Sequence, residues 1–124
     1  MLTERDYNRL FGKSEKKYKN VTITTADGKF DSNLEYCRWC ELLTLQKIGQ
    51  IKGLERQKKF VLIDKSIHGK EITYIADFVY FDGENYVVED TKSSATKTPL
   101  YRLKKRLLAE RYGIKIKEIT REQI

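Results

Sequence analysis

Two aspartates and a lysine carry the first chemical signal in this chain. Asp77 lies within the apolar run Tyr74-Ile75-Ala76-Asp77-Phe78-Val79-Tyr80, and Asp90 and Lys92 lie in Val88-Glu89-Asp90-Thr91-Lys92. A carboxylate with apolar neighbours on both sides of a strand costs substantial desolvation energy unless something positive meets it. A divalent cation with an amine nearby supplies that partner. Mg²⁺ in particular takes a few carboxylates and completes its shell with phosphate oxygens and water. The alternative, Asp77 ending a strand in solvent beside a polar rim, fits those apolar flanks less well.

Whether the three side chains meet depends on a turn. Asp82-Gly83, between two alternating apolar runs, is a strong hairpin signal, because a type I′ turn needs positive φ at both central residues. A two-residue loop there pairs Phe81 with Glu84. In that register Asp77 faces Val88, Ile75 faces Asp90 and Thr73 faces Lys92, so Asp77, Asp90 and Lys92 share one face. Asp77 and Asp90 become diagonal neighbours roughly 7–8 Å apart, close enough to share one divalent cation. A three-residue loop would instead put Glu89 on the face of Asp77.

Glu35 is a candidate third carboxylate with a competing role. Ser32-x-x-Glu35 is a capping box, in which Ser32 caps a helix and Glu35 returns to the cap's backbone N–H. The two roles are compatible. Cys37 and Cys40 have the C-x-x-C spacing of a zinc or redox pair, but the chain adds only His68 as a further soft ligand. The pair also sits within an apolar helical stretch, so we expect both thiols to pack in the core. His68, in Ile67-His68-Gly69, reads as a loop residue.

The elements that must position these residues follow from periodicity and punctuation. Residues 1–20 mix Lys, Arg and Glu with scattered aromatics and read as a basic arm or short helix. Residues 21–124 read as one domain. Val21–Thr25 is a short strand, Asp27-Gly28 a turn, and Phe30-Asp31-Ser32 leads into a helix from Asn33 to Ile48 stopped by Gly49. Its broad apolar face implies burial under the sheet and a neighbouring element, or in a dimer contact. Gln57–Ile63, Ile72–Phe81 and Glu84–Thr91 are strands. Thr98-Pro99 opens a second helix that reaches Tyr112 and stops at Gly113, and Ile114–Ile119 is a last strand. A right-handed crossover sets that last strand parallel to the third. The expected class is α/β, an αβββαβ core with a mixed sheet flanked by helices.

With 124 residues, 40% hydrophobic and 11% aromatic, the chain can bury a core. No apolar run reaches membrane-spanning length and the N-terminus is charged, so we expect a cytoplasmic protein with no membrane partner. Twenty-five Lys and Arg against 18 Asp and Glu leave a formal charge of +7, which favours polyanions. The charge is concentrated. Between Thr91 and Ala109 lie Lys92, Lys97, Arg102, Lys104, Lys105 and Arg106 with no acid among them, beside the acidic strand. Arg56, with Lys52, Lys58 and Lys59, offers a second patch, and Lys13–Lys19 a third. No zinc-finger, helix-turn-helix or RNA-binding signature is present, so base readout is not expected.

Taken together, Glu35, Asp77, Asp90-Thr91-Lys92 and the αβββαβ order resemble the PD-(D/E)XK nuclease superfamily, with a restriction-endonuclease-like core over about residues 30–119. Phe30-Asp31-Ser32-x-x-Glu35, Leu54-Glu55-Arg56-Gln57, Tyr74-Ile75-Ala76-Asp77-Phe78, Val88-Glu89-Asp90-Thr91-Lys92 and Tyr101-Arg102-Leu103-Lys104-Lys105 more narrowly resemble phage- and prophage-encoded, Holliday junction resolvase-like endonucleases. Ala76 stands where the superfamily signature has Pro. The resemblance implies a metal-dependent endodeoxyribonuclease with Asp77 and Asp90 on Mg²⁺ or Mn²⁺ and the Thr91 carbonyl as a further ligand. Glu35 would assist directly or through water, and Lys92 would orient or activate the attacking water and stabilise developing charge. It further implies branched DNA as the partner, a homodimer with two sites, and a phage-encoded protein acting in a bacterial host. Gln57 either lines that site or is a strand hydrogen-bonding residue. Within the same frame, a defence- or transposon-type nuclease and a nonenzymatic DNA-binding accessory protein are the alternatives.

Overall fold

The computed structural model describes residues 22–92 and 97–120. The basic arm at residues 1–20, including Lys13–Lys19, lies outside the described residues. The chain opens with an antiparallel hairpin of β1 (Ile23–Thr25) and β2 (Gly28–Phe30), followed by helix α1 (Asn33–Lys47). Three strands come next: β3 (Lys52–Ile63), β4 (Ile72–Asp82) and β5 (Asn85–Thr91). Helix α2 (Pro99–Tyr112) then crosses to β6 (Lys117–Ile119). The sheet order is β3-β4-β5-β6, with β6 parallel to β5 and the other pairs antiparallel. This is an α/β fold with a mixed four-stranded sheet and two helices. Among the described residues no helix is long and apolar enough to cross a membrane.

Local chemistry sets the helix ends. Ser32 caps α1 by accepting from the Glu35 N–H at 3.1 Å, and Thr98 caps α2 by accepting from Tyr101 N–H at 3.1 Å with Pro99 at the first turn. Gly113, left-handed at φ 68°, ends α2. β3 begins at Lys52, five residues before the expected start, and β6 is confined to Lys117–Ile119.

Alternation along β4 and β5 separates two cores. Val79 and Val88 face α2 with Tyr101 and Leu108, while Phe78 and Tyr80 face α1 with Leu42 and Ile51. α1 is also covered by the β1–β2 hairpin, the neighbouring element its apolar breadth calls for: Trp39 stacks on Phe78 at 5.9 Å and lies 6.3 Å from Phe30. The inward line of α1 is Glu35, Arg38 and Leu42. Cys37 and Cys40 fall on its outer side and are exposed, which corrects the expectation that they pack in the core. Apolar residues are spread around this helix, so composition alone could not tell which side faced inward.

The β4–β5 turn also differs from the expected one. Asp82 pairs with Asn85, leaving Gly83 and Glu84 as the loop, and Val79 rather than Asp77 faces Val88. Gly83 supplies positive φ at the first loop position, so the glycine is used one place earlier in the turn than Asp82-Gly83 implied. The register moves by two residues, an even step, so the strand faces keep their assignment. Glu89 accordingly points to the α1 side, away from Asp90.

Alternation fails at one place, and it fails in two strands together. On β4, Tyr74 and Ala76 pack with the α2-side core but Phe78 and Tyr80 with the α1-side core; on β3, Phe60 and Leu62 divide from Leu54 in the same way. The switch falls at Asp77 on β4 and at Gln57 on β3, which lies between the pairs Arg56–Phe78 and Lys58–Ala76. Gln57 has φ 53°, a left-handed conformation uncommon for a residue with a Cβ. The sheet is therefore creased along the line through Gln57 and Asp77.

Candidate active site

The crease places the acidic residues. The β4–β5 ladder ends at Phe78 opposite Glu89, and the same register carried one step further sets Asp77 across from Asp90 rather than on the diagonal expected from sequence. Asp77 Oδ2 accepts from the Thr91 N–H at 2.9 Å and the Thr91 hydroxyl at 2.8 Å. The side chain thus satisfies an amide whose ladder partner is lost where the strands part. Asp90 Oδ2 accepts from the Tyr74 hydroxyl at 2.5 Å and pairs with Lys92 Nζ at 3.2 Å. Lys92 Nζ in turn sits 4.1 Å over the Tyr101 ring, a cation–π contact. Each aspartate thus has Oδ2 committed to the protein, and the two carboxyl groups lie within hydrogen-bonding reach of each other.

Glu35 enters from α1. Its Oε2 accepts from the Asp31 N–H at 3.1 Å, so the box closes on the residue before Ser32. Its Oε1 accepts from the Gln57 side-chain amide at 3.1 Å and lies 3.9 Å from Arg56. One carboxylate thus both completes the helix cap and accepts from Gln57, so Gln57 reaches the acidic cluster through Glu35.

Electrostatics link these acids. Burial, with the negative charge of Asp77 added, pushes the Glu35 carboxyl up to about 7. Burial and the adjoining Asp77 carboxylate push Asp90 up to about 8, against the pull of Lys92 and the Tyr74 hydroxyl. Burial and Asp90 raise the Tyr74 phenol well above its usual range, so it remains a donor. The site therefore holds more negative charge than it can comfortably ionise, a condition that a cation relieves.

The donor set fits a hard divalent ion. Two carboxyl groups lie side by side, and Mg²⁺ is usually held by one or two carboxylates plus substrate phosphates and water. Among the described residues no group of three or more His, Cys, Asp or Glu is arranged to hold a metal ion. Asp77 and Asp90 are the two carboxylates that could hold such an ion, and Glu35 bears on Asp77 through charge.

The basic residues are not equivalent. Arg102 and Arg106 are exposed and Lys104 half-buried on α2, and none of the three has an ion pair among the described residues. Lys97 and Lys105 pair with Glu118 at 3.4 and 3.5 Å. Arg56 is turned inward: it donates to the carbonyls of Asp27 and Lys29 at 3.1 and 2.8 Å and lies 3.7 Å over the Phe30 ring, clipping the β1–β2 hairpin to β3. Gly28, at φ 122°, permits that clip, since a Cβ there would come within 2.9 Å of the guanidinium.

Sequence reasoning missed several polar residues. Arg38 makes a bidentate pair with Glu89 at 2.7 and 2.6 Å, and the Tyr80 hydroxyl also donates to Glu89, all on the α1 side. Tyr74 and Glu118 were missed as well. Tyr74 is foreseeable as a hydroxyl inside an apolar strand, which needs a buried acceptor.

A family model matches residues 15–123, and the chain belongs to that family, described as Protein of unknown function (DUF1064). No curated protein and no solved structure matches the chain significantly.

Proposed function

For this member of the DUF1064 family we propose a divalent-metal-dependent endonuclease that hydrolyses phosphodiester bonds in DNA, with branched duplexes such as Holliday junctions as substrate. The observation that supports it is the meeting of the Asp77 and Asp90 carboxyl groups where β4 and β5 part, beside Lys92. Asp77 and Asp90 would hold Mg²⁺ or Mn²⁺, which when bound polarises a phosphate oxygen and acidifies water.

The chain's own groups then have distinct tasks. Thr91 fixes the rotamer of Asp77, and Tyr74 fixes Asp90. The Lys92 ammonium, held between Asp90 and the Tyr101 ring, stabilises charge that develops on the phosphate and orients the water. Glu35, steadied by Gln57 and the helix cap, keeps negative charge beside Asp77 and can accept a proton from water. The water oxygen bonds to phosphorus as the bond to the 3′ oxygen breaks, giving a 5′-phosphate. Arg102, Lys104 and Arg106 supply contacts to the backbone without base readout. Two such sites in a homodimer would cut a junction symmetrically, in the cytoplasm of a bacterial host.

The test is incubation of the purified chain with four-way junction, flap, linear duplex and single-stranded DNA in Mg²⁺, Mn²⁺ or EDTA. Metal-dependent nicks that favour the junction support the reading. Tight binding with no cleavage by wild type on any substrate would leave a DNA-binding accessory protein, a reading favoured by the lack of a three-ligand group among the described residues.

A further inference from the structure

Glu118 stands beside Asp90 as its partner in the parallel β5–β6 register. Yet its carboxylate serves different neighbours. Oε2 accepts from the Tyr101 hydroxyl at 2.7 Å, and Oε1 lies 3.4 Å from Lys97 Nζ and 3.5 Å from Lys105 Nζ. Three donors from α2 and the segment before it converge on one small anion. Burial alone would raise this carboxyl, but Tyr101, Lys105 and Lys97 together hold it below its ordinary value.

These donors match a phosphate as well as they match a carboxylate: two ammonium groups and a hydroxyl, directed at one point. The point also borders the acidic pair, because the Tyr101 ring that ends in this hydroxyl carries Lys92 on its face. The two lysines are about one-third exposed, whereas Glu118 is only 20% exposed, so the lysines can turn outward while the carboxylate stays in place.

We infer that Lys97, Lys105 and Tyr101 form a backbone-phosphate subsite next to the acidic pair, and that Glu118 fills this subsite in the free protein as an internal phosphate mimic. The inference rests on the DNA-binding reading given above. Binding then exchanges two internal ion pairs for two phosphate contacts, so part of the attraction of the +7 chain is withheld from any polyanion that does not reach this subsite. Glu118 restrains affinity; it is not a catalytic residue.

The test measures fluorescence anisotropy of a labelled four-way junction and a labelled linear duplex in EDTA, so that nothing is cut. Wild type, Glu118→Gln, the double variant Lys97→Gln/Lys105→Gln and the triple variant are compared, with Glu110→Gln on the exposed part of α2 as a charge control. Glu118→Gln should bind about three- to thirtyfold tighter, the range that two partly exposed ion pairs can withhold. The double variant should bind about tenfold weaker than wild type, and adding Glu118→Gln to it should restore nothing beyond the Glu110→Gln effect. Equal or weaker binding by Glu118→Gln, or an equal gain in the background without the lysines, overturns the inference while the DNA-binding reading stands. If melting curves show Glu118→Gln unfolded, the double variant decides, and unchanged affinity there overturns it. Failure of wild type to bind either DNA overturns both.

Discussion

Thr91 closes both of its donors on a single oxygen of Asp77, the N–H at 2.9 Å and the hydroxyl at 2.8 Å. This joins β4 to β5 through a side chain just where their backbone ladder ends, and it fixes the direction of the other carboxylate oxygen. Asp77→Asn keeps an oxygen acceptor for Thr91 but loses the charge. Cleavage of the preferred DNA should fall by about two to three orders of magnitude, the scale of losing one electrostatic participant. The melting temperature and DNA affinity should change little. Loss of binding in parallel with cleavage would show that Asp77 maintains the fold rather than the chemistry.

Thr91→Val separates those two parts. It keeps the amide bond to Asp77 and removes the hydroxyl bond. Cleavage should drop about tenfold and recover partly in Thr91→Ser. Equal rates for Val and Ser would remove the hydroxyl from the account.

The acidic site also makes a statement about pH. Glu35 is raised from 4.5 to about 7 and Asp90 from 3.8 to about 8, so between about pH 4 and 8 the folded chain holds protons that the unfolded chain has released. Stability from these two groups is complete at the acidic end of that window and is lost as pH rises through it. The groups facing them are Asp77, Lys92 and the neutral Tyr74 hydroxyl around Asp90, and Asp77, Asp31 and Arg56 around Glu35. In EDTA the melting temperature should decline from pH 6 to 8.5, and Asp90→Asn should flatten the decline. Mg²⁺ or Mn²⁺ should reverse it and release protons, read as a buffer-dependent heat in calorimetry. A decline of equal steepness in Asp90→Asn would place its origin elsewhere.

Much of this site was legible in sequence, for a reason that tolerates error. The β4–β5 turn was misplaced, but by an even number of residues in register, so the faces of Asp77, Asp90 and Glu89 survived. The crease was not legible, because a Gln at φ 53° carries none of the compositional warning of a Gly. The Arg38–Glu89 bond spans 51 residues and joins a helix to a strand, so no local spacing announces it. Glu118 belonged to a correctly expected strand. Its role depends on lysines brought over it by α2, which only the docking of that helix reveals.

Gln57→Gly tests the crease. Glycine adopts positive φ without the cost of roughly 1 kcal/mol or more that a side chain incurs there, but it cannot reach Glu35. The melting temperature should hold or rise while cleavage falls several-fold. A variant with lower stability and unimpaired cleavage would contradict the placement of Gln57 as a positioning residue.

The Arg38–Glu89 pair anchors α1 on the sheet opposite the acidic site. Glu89→Gln leaves the buried guanidinium only the more exposed Glu41 carboxylate, 3.1 Å away, as counter-charge and should cost about 3 kcal/mol in denaturant unfolding. Arg38→Met/Glu89→Leu should regain most of it. A double variant no better than the single would mean that the bond geometry, not uncompensated charge, dominates.

β3 has twelve residues and, among the described residues, forms one rim of the sheet. A rim of that length is ordinarily an open template on which a second molecule can extend the sheet. Here the template is irregular: its register slips between Lys52 and Glu55, Gln57 turns its backbone out of line, and Lys58 and Lys59 follow at once. The same distortion that sets Gln57 against Glu35 thus also makes this rim a poor template for sheet extension by a second copy.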